Sequence, residues 1–310
     1  MKKTNQNTKS IIANNITWID IINPKQCNLD ELKEQFHLHP MVSRQFLPPI
    51  HRPKLEEYPN HLFMVLHFPV YDEEKKENQS AELDIIITPN ALITSHKSII
   101  PSLDIFFNDC EHQEYHQKKY FQTPNHLVLG MLDWMIDECL PMLDHVSEEI
   151  FNIEKHVFEG HEKAMVTQIS IIKRDLINFR RAIKPQQAIL EILEKKYKRL
   201  YGPELKLLTQ EVIGSNARVW NILENNQELI NSLEQTNNSL LSYKLNDIMR
   251  FLTVISFITF PLSVIVGFFG MNIFGNIPIV EHPLSWLIII AVMVVTTAVM
   301  VLYFKRKRWL

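Results

Sequence analysis

Charged side chains are almost absent from the last sixty residues of this chain. Residues 251–280 contain no Asp, Glu, Lys or Arg, and residues 284–304 form a second apolar stretch without charge. A hydrocarbon core about 30 Å thick is crossed by about 20 helical residues. The sequence therefore predicts two transmembrane helices at the C-terminal end, preceded by a larger water-soluble part.

Cysteine is also scarce, and the sequence shows no common catalytic motif. Cys27, Cys110 and Cys139 all precede the apolar stretches, and their odd number and spacing argue against a disulfide framework or a zinc knuckle. We find no glycine-rich phosphate loop, nucleophile elbow or convergent pair of carboxylates, so an enzyme is not expected. The net charge of -3 gives no indication of nucleic-acid binding.

Basic residues are missing from the segment between the two apolar stretches. Residues 270–283 contain no Lys or Arg and one acid, Glu281, whereas Lys244 and Arg250 precede the first stretch. A basic collar follows the second stretch and consists of Lys305, Arg306, Lys307 and Arg308. The positive-inside rule places both termini in the cytoplasm and the loop outside. We therefore expect a multi-pass protein of the cell membrane, in the inner or plasma membrane.

The remaining pattern predicts an α+β cytoplasmic domain followed by long helices. Strands are predicted at 16–20, 61–68, 83–88 and 91–95, a charged turn at 72–80, and a short helix capped by Asn28. Apolar residues then recur at helical spacing through Ile153, and again from Glu162 to Arg199 with a kink at Pro185. The expected segments are an α/β domain at 1–123, two long antiparallel helices at 124–202, a stalk helix running into the first transmembrane helix at 203–269, an external loop at 270–283, the second transmembrane helix at 284–304 and a basic tail at 305–310.

Helix-breaking residues are rare between Pro203 and the membrane. No proline occurs until Pro261, and Gly214 is the only glycine before Gly267. One continuous helix over this segment would be roughly 95 Å long, at about 1.5 Å per residue. A helix that protrudes so far from a bilayer is expected as the stalk of an oligomer.

One face of the first transmembrane helix mixes polar, small and bulky apolar residues. At steps of three or four, the residues on this face are Asn246, Met249, Leu252, Ser256, Phe260, Ser263 and Gly267. Polar groups in a bilayer face the protein interior or water, and hydroxyls interleaved with hydrophobic constrictions suit the wall of a gated pore. Packing of small residues between helices is the alternative interpretation.

The predicted pore face lacks Asp, Glu, Cys and His, which argues against a soft-metal site. Neutral amide oxygens suit a cation that keeps its water, as Mg²⁺ does. Asn272, which follows the same helix, would place a ring of amide oxygens at the external mouth of an oligomer.

The sequence resembles the CorA family of divalent-cation transporters. The similarity rests on the Gly270-Met271-Asn272 signature after the first of two C-terminal spans, on Pro261 within that span, and on the basic terminus that ends in Trp309-Leu310. Similar segments occur along nearly the whole chain, including Arg180-Arg181-Ala182-Ile183-Lys184-Pro185.

This resemblance implies a funnel-shaped homopentamer in a lipid bilayer, with the stalk helix continuous with the first span. It implies a selectivity filter formed by Gly270, Met271 and Asn272, a pore lined by the seven residues above, and a hydrophobic gate at Met249 and Leu252. The implied function is influx of Mg²⁺, driven by the membrane potential, with Co²⁺ and Ni²⁺ as surrogates. No prosthetic group is implied, but cytosolic Mg²⁺ would also be a regulatory ligand.

The sequence departs from the family pattern in the segments that concern regulation and the pore. Phe260 stands where the family has a more flexible methionine. Glu211 would serve as the regulatory acid in the stalk, with Asp72, Glu73 or Glu74 of a neighbouring subunit opposite it. The basic collar anchors the second span, and would also attract the acidic turn between the two long helices if that turn is more than a solvated tip.

Two other functions compete with magnesium transport. A zinc transporter would use the same fold, although Met271 in the signature favours Mg²⁺. A non-conducting, membrane-anchored scaffold or sensor would use the stalk only for oligomerisation. The polar face and Asn272 argue against this alternative, because a rod needs no wet surface.

Overall fold

The computed structural model describes residues 7–45, 52–72, 77–200, 203–271, 284–307 and 309. The chain divides into two units, Met1–Glu234 and Gln235–Leu310. The first unit contains a β-sheet with helices on both of its faces, and the second contains two apolar helices.

The sheet in the described part of the chain has six strands in the order β1-β2-β6-β5-β4-β3. The strands are β1 (Thr8–Ala13), β2 (Ile16–Ile22), β3 (Lys54–Glu57), β4 (Leu62–Asp72), β5 (Glu77–Ile87) and β6 (Ala91–His96). Strands β2 and β6 pair in parallel, and the other neighbours are antiparallel. The expected hairpin of β5 and β6 is present.

The helices of the first unit surround this sheet. They are α1 (Gln26–Phe36), α2 (Pro40–Gln45), α3 (Pro101–His112), α4 (Glu114–Tyr120), α5 (Pro124–Asp137), α6 (Cys139–Phe158), α7 (Glu162–Ile183) and α8 (Gln186–Leu200). Helix α9 (Pro203–Phe269) begins in the first unit and ends in the second, which also contains α10 (Ser285–Arg306).

The long helices differ from the expected pair. The first is broken at Glu138, because Pro141 cannot donate a hydrogen bond to the carbonyl of Asp137 and its ring would clash with that carbonyl. The second is divided between Ile183 and Gln186, next to Pro185, where a kink was predicted. Four helices therefore occupy the segment in which the sequence predicted two.

Several local predictions in the α/β domain were wrong at their boundaries. Helix α1 already begins at Gln26, so Asn28 lies inside it and not at its start. Residues 77–80, predicted as part of a turn, continue β5 and pair with the end of β4. Strands β1 and β3 were not predicted because they are short and carry Lys9, Lys54 and Glu56, as is common for strands at the edges of a sheet.

Both faces of the sheet are buried, so buried residues follow one another along β2. On one face, Phe63, Val65 and Ile93 form a core with Leu29 and Leu32 of α1. On the other face, Trp18 packs against α3. A sheet that is covered on both sides favours continuous apolar strands.

A buried polar network lies on the α3 side of the sheet. Trp18 Nε1 donates to Thr94 Oγ1 at 3.1 Å, and Thr94 Oγ1 donates to Asp20 Oδ1 at 2.6 Å. His96 Nε2 lies 3.3 Å from Asp20 Oδ2. Each of these polar groups has a partner, so the network links β2 to β6 without the cost of an unsatisfied buried polar atom.

In the second unit, aromatic packing joins the two helices. The rings of Phe257 and Phe304 lie 6.2 Å apart, and Phe304 stacks on Trp309 at 5.9 Å. Val254 and Phe304 are buried in this contact. By length and apolar composition, α9 and α10 are each able to cross a membrane.

The structure predicts a pH-dependent contribution of Asp84, a buried residue of β5. Burial raises the pKa of its carboxyl to about 8, and the charge of Glu82 adds to this effect, against the opposing charges of Lys54 and Lys97. His67 faces Glu82 from β4. Because the folded protein holds a proton that the unfolded chain releases, this group lowers stability progressively as pH rises from about 4 to about 8.

We therefore expect Asp84→Asn, which cannot ionise, to lose less stability than wild type between pH 5 and pH 8. The measurement is the melting temperature of the full chain in detergent, by calorimetry across this pH range. Asp144→Asn, an exposed site on α6, is the matched control and should follow wild type. An equal pH dependence of the melting temperature in all three proteins would contradict the role assigned to Asp84.

Candidate functional site

The predicted pore face of α9 is free in the structure. All seven of its residues are exposed, with 59% exposure for Met249, 55% for Leu252 and 72% for Phe260. Apart from the half-buried Thr253, the buried or half-buried residues of the span recur on the opposite face of the helix. They are Val254, Ile258, Pro261, Leu262 and Ile265. Leu262 also lines a groove of about 730 Å³ together with residues of α10. Helix α10 therefore packs on the side of α9 that faces away from the polar residues.

The two serines of this face present hydrogen-bond acceptors. Ser256 Oγ donates to the carbonyl of Leu252 at 2.9 Å, and Ser263 Oγ donates to the carbonyl of Thr259 at 3.0 Å. A hydroxyl has one hydrogen and two lone pairs, so these oxygens keep only acceptor capacity. Water molecules around a cation point their hydrogens outward, and these oxygens are suited to accept them.

Helix α9 ends next to the signature sequence. The amide of Gly270 donates to the carbonyl of Val266 at 2.9 Å, and that of Met271 donates to Phe268 at 3.4 Å. A Cβ at Gly270 would lie 3.0 Å from the Val266 oxygen, so the end of the helix favours glycine there. The C-terminal pole of a helix carries partial negative charge, which favours a nearby cation. Asn272 lies outside the described residues.

Gly267 has a different environment from Gly270. Apart from the adjoining backbone of its own helix, a Cβ added to Gly267 would have no atom within 4 Å. Contacts within a single chain therefore do not explain why position 267 holds a glycine. A close approach of another chain, or a requirement for open space beside the helix, would explain it.

The basic collar is exposed where it is described. Lys305, Arg306 and Lys307 are all exposed, and Arg308 lies outside the described residues. The amide of Lys307 donates to the carbonyl of Tyr303 at 3.1 Å. Positive charges at the C-terminal end of a helix interact favourably with its dipole.

The predicted regulatory acid Glu211 has an acidic neighbour that sequence reasoning missed. Glu211 is exposed and lines a cavity of about 460 Å³ together with Asp133 of α5. Asp133 accepts a hydrogen bond from Ser215 Oγ at 3.0 Å. Burial raises the pKa of Asp133, and the negative charges of Asp137 and Glu211 add to this effect.

Of the other predicted regulatory acids, the described one, Asp72, does not line this cavity within one chain. Asp72 ends β4, and Glu73 and Glu74 lie outside the described residues. Among the residues that the structure describes, no group of three or more His, Cys, Asp or Glu side chains is arranged to hold a metal ion. No sequence spacing indicated Asp133, because it lies 78 positions before Glu211 and only the packing of α5 against α9 brings the two together.

Comparison with known proteins assigns the chain to a family. A family model described as "CorA-like Mg2+ transporter protein" matches residues 13–306. The chain is 29% identical over 299 residues to the cobalt/magnesium transport protein CorA of Thermotoga maritima, covering 95% of this chain and 83% of that protein. It is 22% identical to the cobalt/magnesium transport protein CorA of Methanocaldococcus jannaschii, covering 95% of this chain and 92% of that protein.

Solved structures show the same fold. The complete CorA magnesium transporter of M. jannaschii matches with a TM-score of 0.84 at 21% identity, covering 96% of this chain and 92% of that chain. The full-length CmaX protein matches with a TM-score of 0.77 at 15% identity, covering 99% and 100% of the two chains. The cytoplasmic domain of ZntB from Vibrio parahaemolyticus matches with a TM-score of 0.59 at 14% identity, covering 74% and 88%.

The architecture is thus an α+β unit followed by long helices and two C-terminal apolar helices, the arrangement of a membrane transporter. The chain belongs to the CorA-like Mg²⁺ transporter family. The resemblance inferred from the signature sequence is confirmed, and the family is one of transporters of Mg²⁺ and Co²⁺.

The exposed face of α9 predicts which positions of the helix water can reach. In a Cys27→Ser background, we expect Ser263→Cys to react with a charged methanethiosulfonate reagent in membranes and Ile265→Cys, on the covered face, to remain unmodified. Cys110 and Cys139 should not react, because burial raises the pKa of each thiol to about 12. Labelling is measured by mass spectrometry. Protection of both positions would favour helix packing over a wet surface.

Proposed function

We propose that the chain forms a homopentameric channel for the influx of Mg²⁺, with Co²⁺ and Ni²⁺ as surrogate ions. The observation that carries this proposal is the position of α10. Because α10 packs on one side of α9, the face with Asn246, Ser256 and Ser263 is free to face the axis of an oligomer. The open space beside Gly267 supports the same arrangement.

The proposed filter is a ring of Asn272 side chains, with Gly270 and Met271 shaping the turn that carries them. Mg²⁺ releases its water reluctantly, so neutral amide oxygens would bind the hydrated ion through its shell. The membrane potential supplies about 2.3 kcal/mol per charge per 100 mV, and about twice as much for a dication. This energy drives entry without a proton gradient.

The proposed gate is hydrophobic. Met249 and Leu252 are exposed on the same face as Asn246, one to two turns further along the helix. Five copies of such side chains around an axis would form a constriction that stops ions by excluding water. Phe260 is more exposed than Met249 and Leu252, and it would narrow the pore further towards the outside.

The proposed orientation places both termini in the cytoplasm of a cell whose inner or plasma membrane holds the two spans. The basic collar and the absence of basic residues from 270–283 support this orientation. In this arrangement the first part of α9 is the stalk of the oligomer and its last part lines the pore. The α/β unit at 1–123 then lies on the cytoplasmic side.

Regulation by cytosolic Mg²⁺ is proposed at Glu211. Asp133 lines the same cavity, and Asp72, Glu73 or Glu74 of a neighbouring subunit would complete the site. The negative charge of Glu211 adds to the rise in the pKa of Asp133. Two neighbouring carboxylates create a position that a divalent cation stabilises. Bound Mg²⁺ would hold adjacent subunits together and keep the gate closed.

Zinc transport on the same fold is the second candidate, but Met271 in the signature favours Mg²⁺. A non-conducting scaffold is the third candidate, and it leaves the polar face of α9 without a role.

The test of the conduction proposal is ion flux into proteoliposomes under an inside-negative potential, with Mg²⁺, Co²⁺, Ni²⁺ and Zn²⁺ offered in turn. We expect Mg²⁺ influx in wild type and its loss in Asn272→Ala, because the ring of amide oxygens is removed. Asn276→Ala, a second asparagine of the same loop, is the control and should conduct. Zn²⁺ uptake that follows a proton gradient would favour the zinc candidate, and no flux of any ion from a folded oligomer would favour the scaffold.

The test of regulation is inhibition of the same flux by Mg²⁺ inside the vesicles. We expect Glu211→Gln and Asp133→Asn each to raise the inhibitory Mg²⁺ concentration roughly tenfold, the effect of about 1.4 kcal/mol of lost binding. Glu224→Gln, an exposed site on the same helix as Glu211, should leave inhibition unchanged. Unchanged inhibition in both acidic-site variants would refute regulation at this cavity.

A further inference from the structure

A second polar cavity lies in the first unit, where the end of the β4–β5 hairpin meets α6 and α7. Its volume is about 450 Å³. The polar side chains that line it include Asn78 of β5, His145 and Glu149 of α6, and Arg174 and Asp175 of α7. The cavity is separate from the one beside Glu211, and the two share no lining residue.

The amide of Asn78 is an unusual feature of this cavity. Asn78 is 5% exposed, and its Oδ1 has no hydrogen-bond partner among the described residues. A buried acceptor without a donor costs free energy comparable to a lost hydrogen bond, so a native structure normally supplies a partner. A bound cation or its water would complete this group.

Two carboxylates accompany this amide. Asp175 is 7% exposed and accepts a hydrogen bond from the backbone amide of Asn78 at 3.4 Å. Glu149 faces the same cavity from α6, and its Oε1 lies 3.8 Å from His145 Nε2. Burial raises the pKa of Asp175, and the charges of Glu149 and Glu77 add to this effect. The site therefore favours a positive charge.

Arg174 supplies only part of this positive charge, because its guanidinium already pairs with Glu77. Its Nε lies 3.1 Å from Glu77 Oε2. Its charge does lower the pKa of Asp175, but burial and the negative neighbours outweigh this, and the net shift is upward. With Glu77 bound to Arg174, the carboxylates of Glu149 and Asp175 remain to balance a dication.

We propose that this cavity binds one hydrated Mg²⁺ ion within each subunit, held by Asp175, Glu149 and the amide oxygen of Asn78. The ligands are hard oxygens, which suit Mg²⁺. Ca²⁺ takes six to eight oxygen ligands at longer distances, whereas Mg²⁺ is held by one or two carboxylates and keeps several waters, for which the cavity has room. The ion would fix the β4–β5 hairpin to the α6–α7 pair.

This site differs in kind from the regulatory site proposed above. All of its ligands come from one chain, so binding does not require an oligomer. It also does not require conduction, since its residues belong to the first unit and lie apart from the polar face of α9 in the sequence.

The experiment counts bound Mn²⁺, which shares the oxygen preference of Mg²⁺, on the full chain in detergent. Free Mn²⁺ is measured by electron paramagnetic resonance at equilibrium. We expect Asp175→Asn and Glu149→Gln each to bind one Mn²⁺ fewer per chain than wild type, and excess Mg²⁺ to displace that ion from wild type. Glu148→Gln, the exposed neighbour of Glu149 on the same helix, should match wild type.

Asn78→Ala provides a second variant, because it removes the amide oxygen but keeps the backbone amide that binds Asp175. We expect it to weaken this class of Mn²⁺ site without changing the melting temperature in the absence of metal. Equal Mn²⁺ counts in wild type, Glu149→Gln and Asn78→Ala would overturn the proposal, as would displacement by Ca²⁺ but not by Mg²⁺. Mn²⁺ ions bound at other sites are counted equally in wild type and variants, so they cancel in the difference. The result therefore does not depend on whether the protein conducts ions.

Discussion

The packing of α10 against one face of α9 is the constraint on which the functional interpretation depends. A helix in hydrocarbon satisfies its own backbone, so its side chains alone decide which face meets lipid, a neighbouring helix or water. Val254 is buried and Leu262 lines a groove together with α10, whereas the hydroxyl-bearing face is exposed. If α10 lay on the other side, the same sequence would describe a pair of helices with a buried polar seam and no conduction surface.

The elements with strong local signals were predictable from the sequence. The hairpin of β5 and β6 and the two apolar helices follow from short-range patterns, and the family follows from Gly270-Met271-Asn272 in its context. Helix α9 has the bounds expected from the spacing of Pro203 and Gly270. In these cases each residue's local preference and the final structure agree.

The incorrect predictions arose where contacts between residues far apart in the sequence determine the structure. Strands β1 and β3 have weak apolar patterns because they lie at the sheet edges, and only pairing with β2 and β4 makes them strands. The break at Glu138 depends on Pro141, three residues later, which lies within the segment that the apolar spacing predicts as one helix. Asp133 and Asn78 became candidates only when packing placed them beside Glu211 and Asp175, because spacing along the chain carries no such information.

The hydroxyls of Ser256 and Ser263 have a further consequence for selectivity. Each uses its single hydrogen on a carbonyl of its own helix, so neither has a donor to offer outward. An anion at these two levels would lose its hydration and receive no hydrogen bond in return, whereas a hydrated cation would keep its shell. In the proposed pore, the backbone of α9 would thus make these two levels selective against chloride without a fixed charge.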